Sequence, residues 1–374
     1  MSAVSAKATA TASVKTAIGT ISGTSMDGID IALIETDGSA VVRTGPGMMA
    51  PYPAALRAQL QDFLRDPARA ETDPLEELER QVTDAFAGAI EGFMAREAIA
   101  PGRVDLIGLH GQTVWHRPEK RFTRQLGSGQ ALADRLGIAT VDGFRLADVA
   151  AGGHGAPLAP LYHAALAHGL AQPLMVLNLG GVGNVTYIDG ETVLAFDTGP
   201  GSALIDDQMR ARFGLAYDED GRMARQGRID EAVLGELLAD PFFAAPAPKS
   251  LDRNAFHRRA AIVARLGDHD AIATVTDFTI RSVALALQQV PQAPALWLVC
   301  GGGRHNRFIM DGLREALGAA VQQVEQVGWN GDLIEAQCFG YLAVRSVRGL
   351  PLSLPGTTGV PWPLTGGRLW GCAK

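Results

Sequence analysis

The sequence predicts an α/β protein built as two related halves. Strand-like and helix-like segments alternate along the chain. One arrangement, a strand, a polar glycine turn, a strand and a DG turn, occurs near residue 20 and returns near residue 178, which points to a duplicated unit. The size agrees: 374 residues, at roughly 150 per domain, make room for two to three domains.

The opening MSAVSAKATATASVKT carries Lys7 and Lys15 but lacks the apolar stretch of a secretory signal, so residues 1–15 are expected to form a disordered tail. Residues 16–22 (TAIGTIS) are apolar and β-branched. The turn GTSMDG and a second apolar run, 29–34, follow, which reads as a hairpin. Leu78, Val82, Phe86, Ile90 and Met94 recur every four residues, so 75–97 is an amphipathic helix. Residues 104–109 form a short buried strand that runs into His110-Gly111-Gln112-Thr113, and 139–141 another that ends at Asp142. The glycine- and proline-rich stretch 145–160 is a loop joined to a helix. The second copy then begins: LMVLNL, GGVGN, VTYI and the turn Asp189-Gly190, then a strand over 193–196, the turn DTGPGS and a helix over 203–213. Residues 240–257, rich in Pro and Ala, are expected to be a surface loop. A helix over 271–289 feeds the strand 296–300 and the turn GGGRHN, which opens a helix. A strand near 321–325 and an amphipathic helix over 332–347 close the pattern.

Composition narrows the function. With 47% hydrophobic and 20% charged residues the chain is an ordinary globular protein. Lys+Arg 33 against Asp+Glu 40, a net charge of −7, argues against a general affinity for nucleic acid or acidic membranes. Cys300, Cys338 and Cys372 form no CxxC pair, which argues against a disulfide framework or a cysteine zinc site. No apolar run reaches the ~18 residues of a membrane helix, and the protein is expected to be cytoplasmic. The 44 glycines, many of them clustered, suggest turns where backbone approaches a ligand.

Four glycine-rich segments are candidates. Gly23-Thr24-Ser25-Met26-Asp27-Gly28-Ile29-Asp30 is neither a Walker loop nor a dinucleotide fingerprint, because a strand and not a helix follows it. Its backbone N–H groups could wrap phosphate oxygens, and an aspartate there suits Mg²⁺; a decorated hairpin turn is the alternative. Gly180-Gly181-Val182-Gly183-Asn184 is the matching turn of the second half, and two such turns make a pair of jaws for a polyphosphate. Asp197, in FDTGPGS, ends an apolar strand before a sharp turn, as a general base requires; a helix cap is the alternative. Gly301, Gly302 and Gly303 follow a buried strand, where bare backbone would admit a flat ring or a phosphate. His110, Gln112 and His116 resemble a metal motif, but no third ligand at zinc spacing accompanies them. Glu335 has apolar neighbours and is either turned to solvent or aimed into a cleft. Trp362 and Trp370 read as packing residues.

Taken together, GTSMDGID, HGQT, DVAAGGHGAPL, LNLGGVGNVT, FDTGPGS, VCGGGRHN and PGTTG resemble, in order and over about residues 18–366, the anhydro-N-acetylmuramic acid kinases of the acetate/sugar kinase, heat-shock chaperone and actin superfamily. The resemblance implies two RNase H-like domains, 16–150 with 348–374 packing back on it and 151–347, and an active site in the cleft between them. It implies ATP and Mg²⁺, the metal ligands remaining unknown. It also implies an activity in peptidoglycan recycling: ATP-driven phosphorylation with hydrolytic opening of the 1,6-anhydro sugar. Asp197 matches the catalytic aspartate, and Gly23 to Asp30, Gly180, Gly181, Asn184 and Gly301 to Gly303 match nucleotide-binding positions. His110, Gln112, Asp148 and Glu335 match positions near the sugar. The implied partners are small molecules, with no nucleic acid or membrane and room for a homodimer. His154 stands where the family most often has Gln, and the tail lies outside the family core. A levoglucosan kinase and a non-catalytic ATP and sugar sensor are the alternatives.

Overall fold

The computed structural model describes residues 13–23, 26–251 and 256–372, so Thr24 and Ser25 of the first glycine turn lie outside the described residues. The chain divides into two compact units. One takes the described residues up to Ala147, then Glu335–Leu352 and those from Thr365 on; the other takes Asp148–Ile334 and Ser353–Leu364.

In the first unit β1 (Lys15–Ser22), β2 (Gly28–Thr36) and β3 (Val42–Pro51) form an antiparallel meander. β4 (Leu106–Arg117) runs parallel to β1, β5 (Phe122–Leu126) folds back on the outer half of β4, and β6 (Thr140–Asp142) lies parallel to β4. β1 is the middle of this sheet and is buried on both faces from Ala17 onward, which is why it reads as a continuous apolar run. On one face Ile18, Ile31 and Ile107 pack with Val82, Phe86, Ile90 and Phe93 of the helix Glu76–Arg96, the periodic residues of the sequence.

The other face explains a difference from the expected boundary at 347. The helix Ile334–Val347 belongs almost wholly to the first unit, because its backbone rests on two strand glycines. A Cβ on Gly19 of β1 would stand 1.9 Å from the Ala336 carbonyl oxygen, and one on Gly108 of β4 2.1 Å from that of Phe339. Nor does the tail of the chain stay with one unit, since Ser353–Leu364 belongs to the second.

In the second unit β7 (Leu174–Leu179), β8 (Val182–Asp189) and β9 (Thr192–Pro200) form the meander, and β10 (Leu296–Cys300) and β11 (Ala320–Gln323) extend it in parallel. The order β9-β8-β7-β10-β11 repeats β3-β2-β1-β4-β6 of the first sheet, to which β12 (Arg368–Trp370) adds an edge beside β6. Three antiparallel strands followed by two parallel ones in this order make an RNase H-like sheet, present twice. The core of this unit gathers Trp297, Val299, Phe196, Phe278 and Ile272 around β7 and the helix Asp268–Ala284.

Several elements differ from the sequence reading. The strand expected to end at Leu109 continues to Arg117, because Gly111, at φ 76°, bends it without ending it. The expected loop 240–257 contains a helical turn, Pro241–Ala244, with Asp240 accepting from the Phe242 N–H at its start. Trp362 is exposed, not packed. β3 and the helix Ala54–Phe63 fill a stretch the sequence reading left blank.

Candidate functional site

The first glycine turn leaves β1 at Ser22 and enters β2 at Gly28. Met26, with φ 55°, takes a left-handed conformation, and its N–H donates to the Gly23 carbonyl. Gln112 stands behind this turn, fully buried. Its Oε1 accepts from Ser22 Oγ at 2.7 Å and from the Tyr52 hydroxyl at 3.3 Å, while its Nε2 donates to the carbonyls of Gly23 at 3.3 Å and Thr113 at 3.2 Å. All its polar atoms are engaged within the unit, so it positions the turn. Asp27 is paired with Arg57, Nη2 to Oδ1 at 2.8 Å. Ile29 is buried in the core of the sheet, and Asp30 lies beside it on β2, half-buried and opposite Ile21.

His110 is equally occupied. Its Nε2 accepts from Arg145 Nε at 3.0 Å, its Nδ1 lies 2.9 Å from the Gly111 carbonyl, and its ring stacks on Phe339 with centroids 4.4 Å apart. Burial, and then the Arg145 charge, hold it well below the usual histidine range, so it is a neutral ring with Nδ1 protonated. Glu335, at the start of the helix Ile334–Val347, is exposed.

In the second unit the turn after β7 is clasped from outside. The N–H groups of Gly201 and Ser202 donate to the carbonyls of Gly181 and Gly180 at 3.0 and 2.8 Å, which turns those carbonyls inward. A Cβ on Gly201 would stand 2.2 Å from the Gly180 oxygen, so this close approach needs glycine. Asn184 faces Asp197 across the β8–β9 pair. The turn after β10 is fixed in the same way: Gly301 has φ 76° and a Cβ there would meet Asn178 Oδ1 at 2.4 Å, whereas Gly302 has open space before it. Arg304, a buried residue that sequence reasoning passed over, holds this turn by donating to the Gly301 carbonyl at 3.0 Å while paired with Glu325 and Asp332. Its one sequence signal is an arginine directly after three glycines. Gly302 and Gly303 form part of the wall of a cavity of about 690 Å³, with Ser202, Asp206, Tyr217 and Asn306 among its other walls.

Asp197 lies near the end of β9. Its N–H donates to the Lys249 carbonyl at 2.9 Å, and its Oδ2 accepts from the Leu251 N–H at 2.6 Å. Burial pushes its carboxyl up from the usual carboxylate range to about 7, against the lowering effect of the Leu251 N–H. It caps no helix: the helix Ala203–Phe213 starts after Ser202 without a side-chain cap. Asp148 is buried, and both of its oxygens serve the unit. Oδ1 accepts from the Gly155 N–H and Oδ2 from Thr358 Oγ1, each at 2.6 Å, so it ties the GGHGAPL loop to the PGTTG segment. The structure thus brings Gln112 to the first turn within the first unit. Within the second it brings Asn184 to Asp197, with the cavity at Gly302.

A doubled RNase H-like sheet, each with a glycine turn in its first hairpin, is the architecture of the actin-like ATPases and sugar kinases. Comparison narrows this further. The model of the anhydro-N-acetylmuramic acid kinase family matches residues 15–370. A relative of that name from Rhodospirillum rubrum is 52% identical over 359 residues, covering 96% of this chain and 94% of its own. Another from Rhodopseudomonas palustris is 50% identical over 364 residues, covering 95% and 98%. Among solved structures, component A of the (R)-2-hydroxyglutaryl-CoA dehydratase of Acidaminococcus fermentans aligns with 89% of this chain and 99% of its own, at a TM-score of 0.48 and 10% identity. The chain belongs to the anhydro-N-acetylmuramic acid kinase family and is an enzyme of that kind.

Proposed function

We propose that this enzyme uses ATP and water to convert 1,6-anhydro-N-acetylmuramic acid to N-acetylmuramic acid 6-phosphate and ADP, with Asp197 as the base. The observation that carries this reading is the Asp197 carboxyl, fixed near the end of β9 and raised to about 7. A base with that value is largely ionised just above neutrality and still strong enough to take a proton from a polarised water. Water gives a proton to Asp197 as its oxygen bonds to C1 and the C1–O6 bond breaks. The electron pair left on O6 attacks the γ-phosphorus, and the bond to the bridging oxygen of ADP breaks. Because phosphorus captures the leaving oxygen, the second carboxylic acid of an ordinary glycosidase is not required.

ATP is the second substrate. The cavity at Gly302 is of a size that suits a small-molecule ligand, and the turns at 23–30 and 180–184 are the candidates to hold phosphates. Among the described residues no group of three His, Cys, Asp or Glu stands together, so an ion here needs phosphate and water oxygens to complete its shell, as Mg²⁺ commonly does. Asp30 and, on exchanging its Arg57 partner for the ion, Asp27 are the carboxylates that would hold it, and it would neutralise charge on the phosphates. His110, Gln112 and Asp148 act in this reading by shaping the loops around the ligands, and Glu335, an exposed carboxylate, is a candidate to meet the sugar. We place the enzyme in the cytoplasm, in the recycling of peptidoglycan fragments.

The test is ADP release with 1,6-anhydro-N-acetylmuramic acid and with levoglucosan side by side, in ¹⁸O-labelled water. Turnover of the muramic sugar with label at C1 is expected. Label on phosphate would sink the attack at C1, turnover of levoglucosan alone would overturn the substrate, and silence with both would leave a sensor.

A further inference from the structure

The segment 247–251 lies along β9 and meets Asp197 twice, through the Lys249 carbonyl and the Leu251 N–H. We propose that the peptide N–H of Leu251 is a positioning group for the reaction: it holds Asp197 by Oδ2 and so reserves Oδ1 as the oxygen that takes the proton. The proposal rests on the reading of Asp197 as the base.

The geometry favours one orientation of the carboxylate. A side-chain carboxylate turns about its last bond unless one oxygen is tied, and a base that turns is misaimed for part of the time. At 2.6 Å the Leu251 N–H makes a short, charge-assisted bond to Oδ2, and the backbone bond from Asp197 to Lys249, two residues back, keeps the strap in register with β9. The strap is itself anchored. Lys249 places its ammonium on the carbonyls of Phe242 and Phe243, at 2.9 and 3.2 Å, and over the Phe242 ring. The Ala247 N–H donates to Gln289 Oε1, and Leu251 packs on the core. Phe242 and Phe243 join Phe256 and Phe278 in one aromatic cluster, so both ends of the segment are tied to the interior.

Among the described residues, the groups around Asp197 leave this N–H as the distinctive contact. Asn184 opposite it on β8 is neutral. Thr279 and Ser282, from the helix Asp268–Ala284, meet the turn at Gly201 and Gly199 and carry no charge. His163, on the helix Pro160–Leu166 that also packs on β9, has its Nδ1 on Thr186 and is held neutral by burial. Lys249 is the charged residue of the strap, and its ammonium is committed to the two phenylalanine carbonyls.

The test removes the N–H and keeps the side chain. Leu251 replaced by its α-hydroxy acid, through an ester bond, loses only the donor; Leu251→Pro loses it genetically, and Leu251→Ala keeps it. Thermal melting of each reports folding. For the ester we expect kcat to fall about thirtyfold, KM for ATP to stay constant, and the acidic limb of kcat/KM to move up by about one pH unit, since a bond that favours the ionised carboxylate is gone. Leu251→Ala, which trims the side chain on the core but keeps the donor, should keep the parental acidic limb whatever it does to kcat. An ester enzyme that melts normally and shows the parental kcat and limb would overturn the proposal. Failure of the underlying reading shows elsewhere: Asp197→Asn at full turnover would remove Asp197 as base whatever the ester does.

Discussion

In the first unit the polar side chains behind the glycine turn close on one another, while in the second the Asp197 side chain meets, among the described residues, the Leu251 N–H through one oxygen. Gln112 satisfies its whole amide on Ser22, Tyr52, Gly23 and Thr113, and His110 is clamped by Arg145. Asp197 instead keeps a carboxyl raised to about 7 and, among the described residues, one N–H partner on its side chain. Two sheets of one topology therefore hold their polar groups differently: one uses them to set the shape of a turn, and the other buries a carboxyl whose proton affinity is raised, the group proposed above as the base. Satisfied groups build, and under-satisfied ones are where chemistry is found.

The strongest way to break this comparison is Asp197→Asn. Turnover should fall about a thousandfold with ATP binding, read by calorimetry, nearly unchanged. Loss of ATP binding would mean that the residue holds nucleotide. The pH dependence sharpens the same point. In the proposed reading Asp197 acts ionised, and its pKa is raised, so kcat/KM should drop about tenfold per pH unit below about 7 and level off above it. Stability has the opposite sense: a carboxyl raised on folding favours the fold when protonated, fully below the usual aspartate range and no longer above about 7. Melting curves of Asp197→Asn should accordingly gain most over the parent at pH 8.

Gln112→Met tests the building side. It strands the polar groups that Gln112 bonds, and should cost about 2 kcal/mol in chemical denaturation and raise KM for ATP more than it lowers kcat. An unchanged KM would mean that this turn does not hold nucleotide.

Gly302→Ala separates scaffold from site within the second unit. A Cβ there meets nothing within 4 Å and faces the cavity wall, so the melting temperature should hold or rise while KM for ATP climbs about tenfold. Gly301→Ala, by contrast, should lose stability, because its Cβ would collide with Asn178 and Leu179. The smallest effect is expected from Thr198→Val. The Thr198 hydroxyl is buried without a partner among the described residues, and removing it should leave stability level or raise it by about 1 kcal/mol. A large fall in kcat would show instead that this hydroxyl meets the substrate.

Much of this was legible in the chain. Alternation of strand and helix, the repeated glycine hairpin and the four-residue rhythm of Val82, Phe86 and Ile90 are local patterns, and each became the element it announced. The motif FDTGPGS singled out Asp197 as a candidate, although the strand expected to end at Phe196 runs on through it to Pro200. The roles of Gln112, Asp148 and Arg304 were not legible, because a side chain's role depends on partners 89, 210 or 28 positions away. Gly19 and Gly108 look like ordinary strand glycines until the helix Ile334–Val347 is found pressed on them, and that contact moves the helix to the first unit. Sequence pattern was enough for most of the elements, the duplication and the family, since these rest on short-range order and on motif spelling, but not for β3 or the length of β4. Only the packed structure shows which polar groups are paired off, like the amide of Gln112, and which are desolvated, like the carboxyl of Asp197. Burial and hydrogen-bond partners are properties of a packed interior and not of neighbours along the chain.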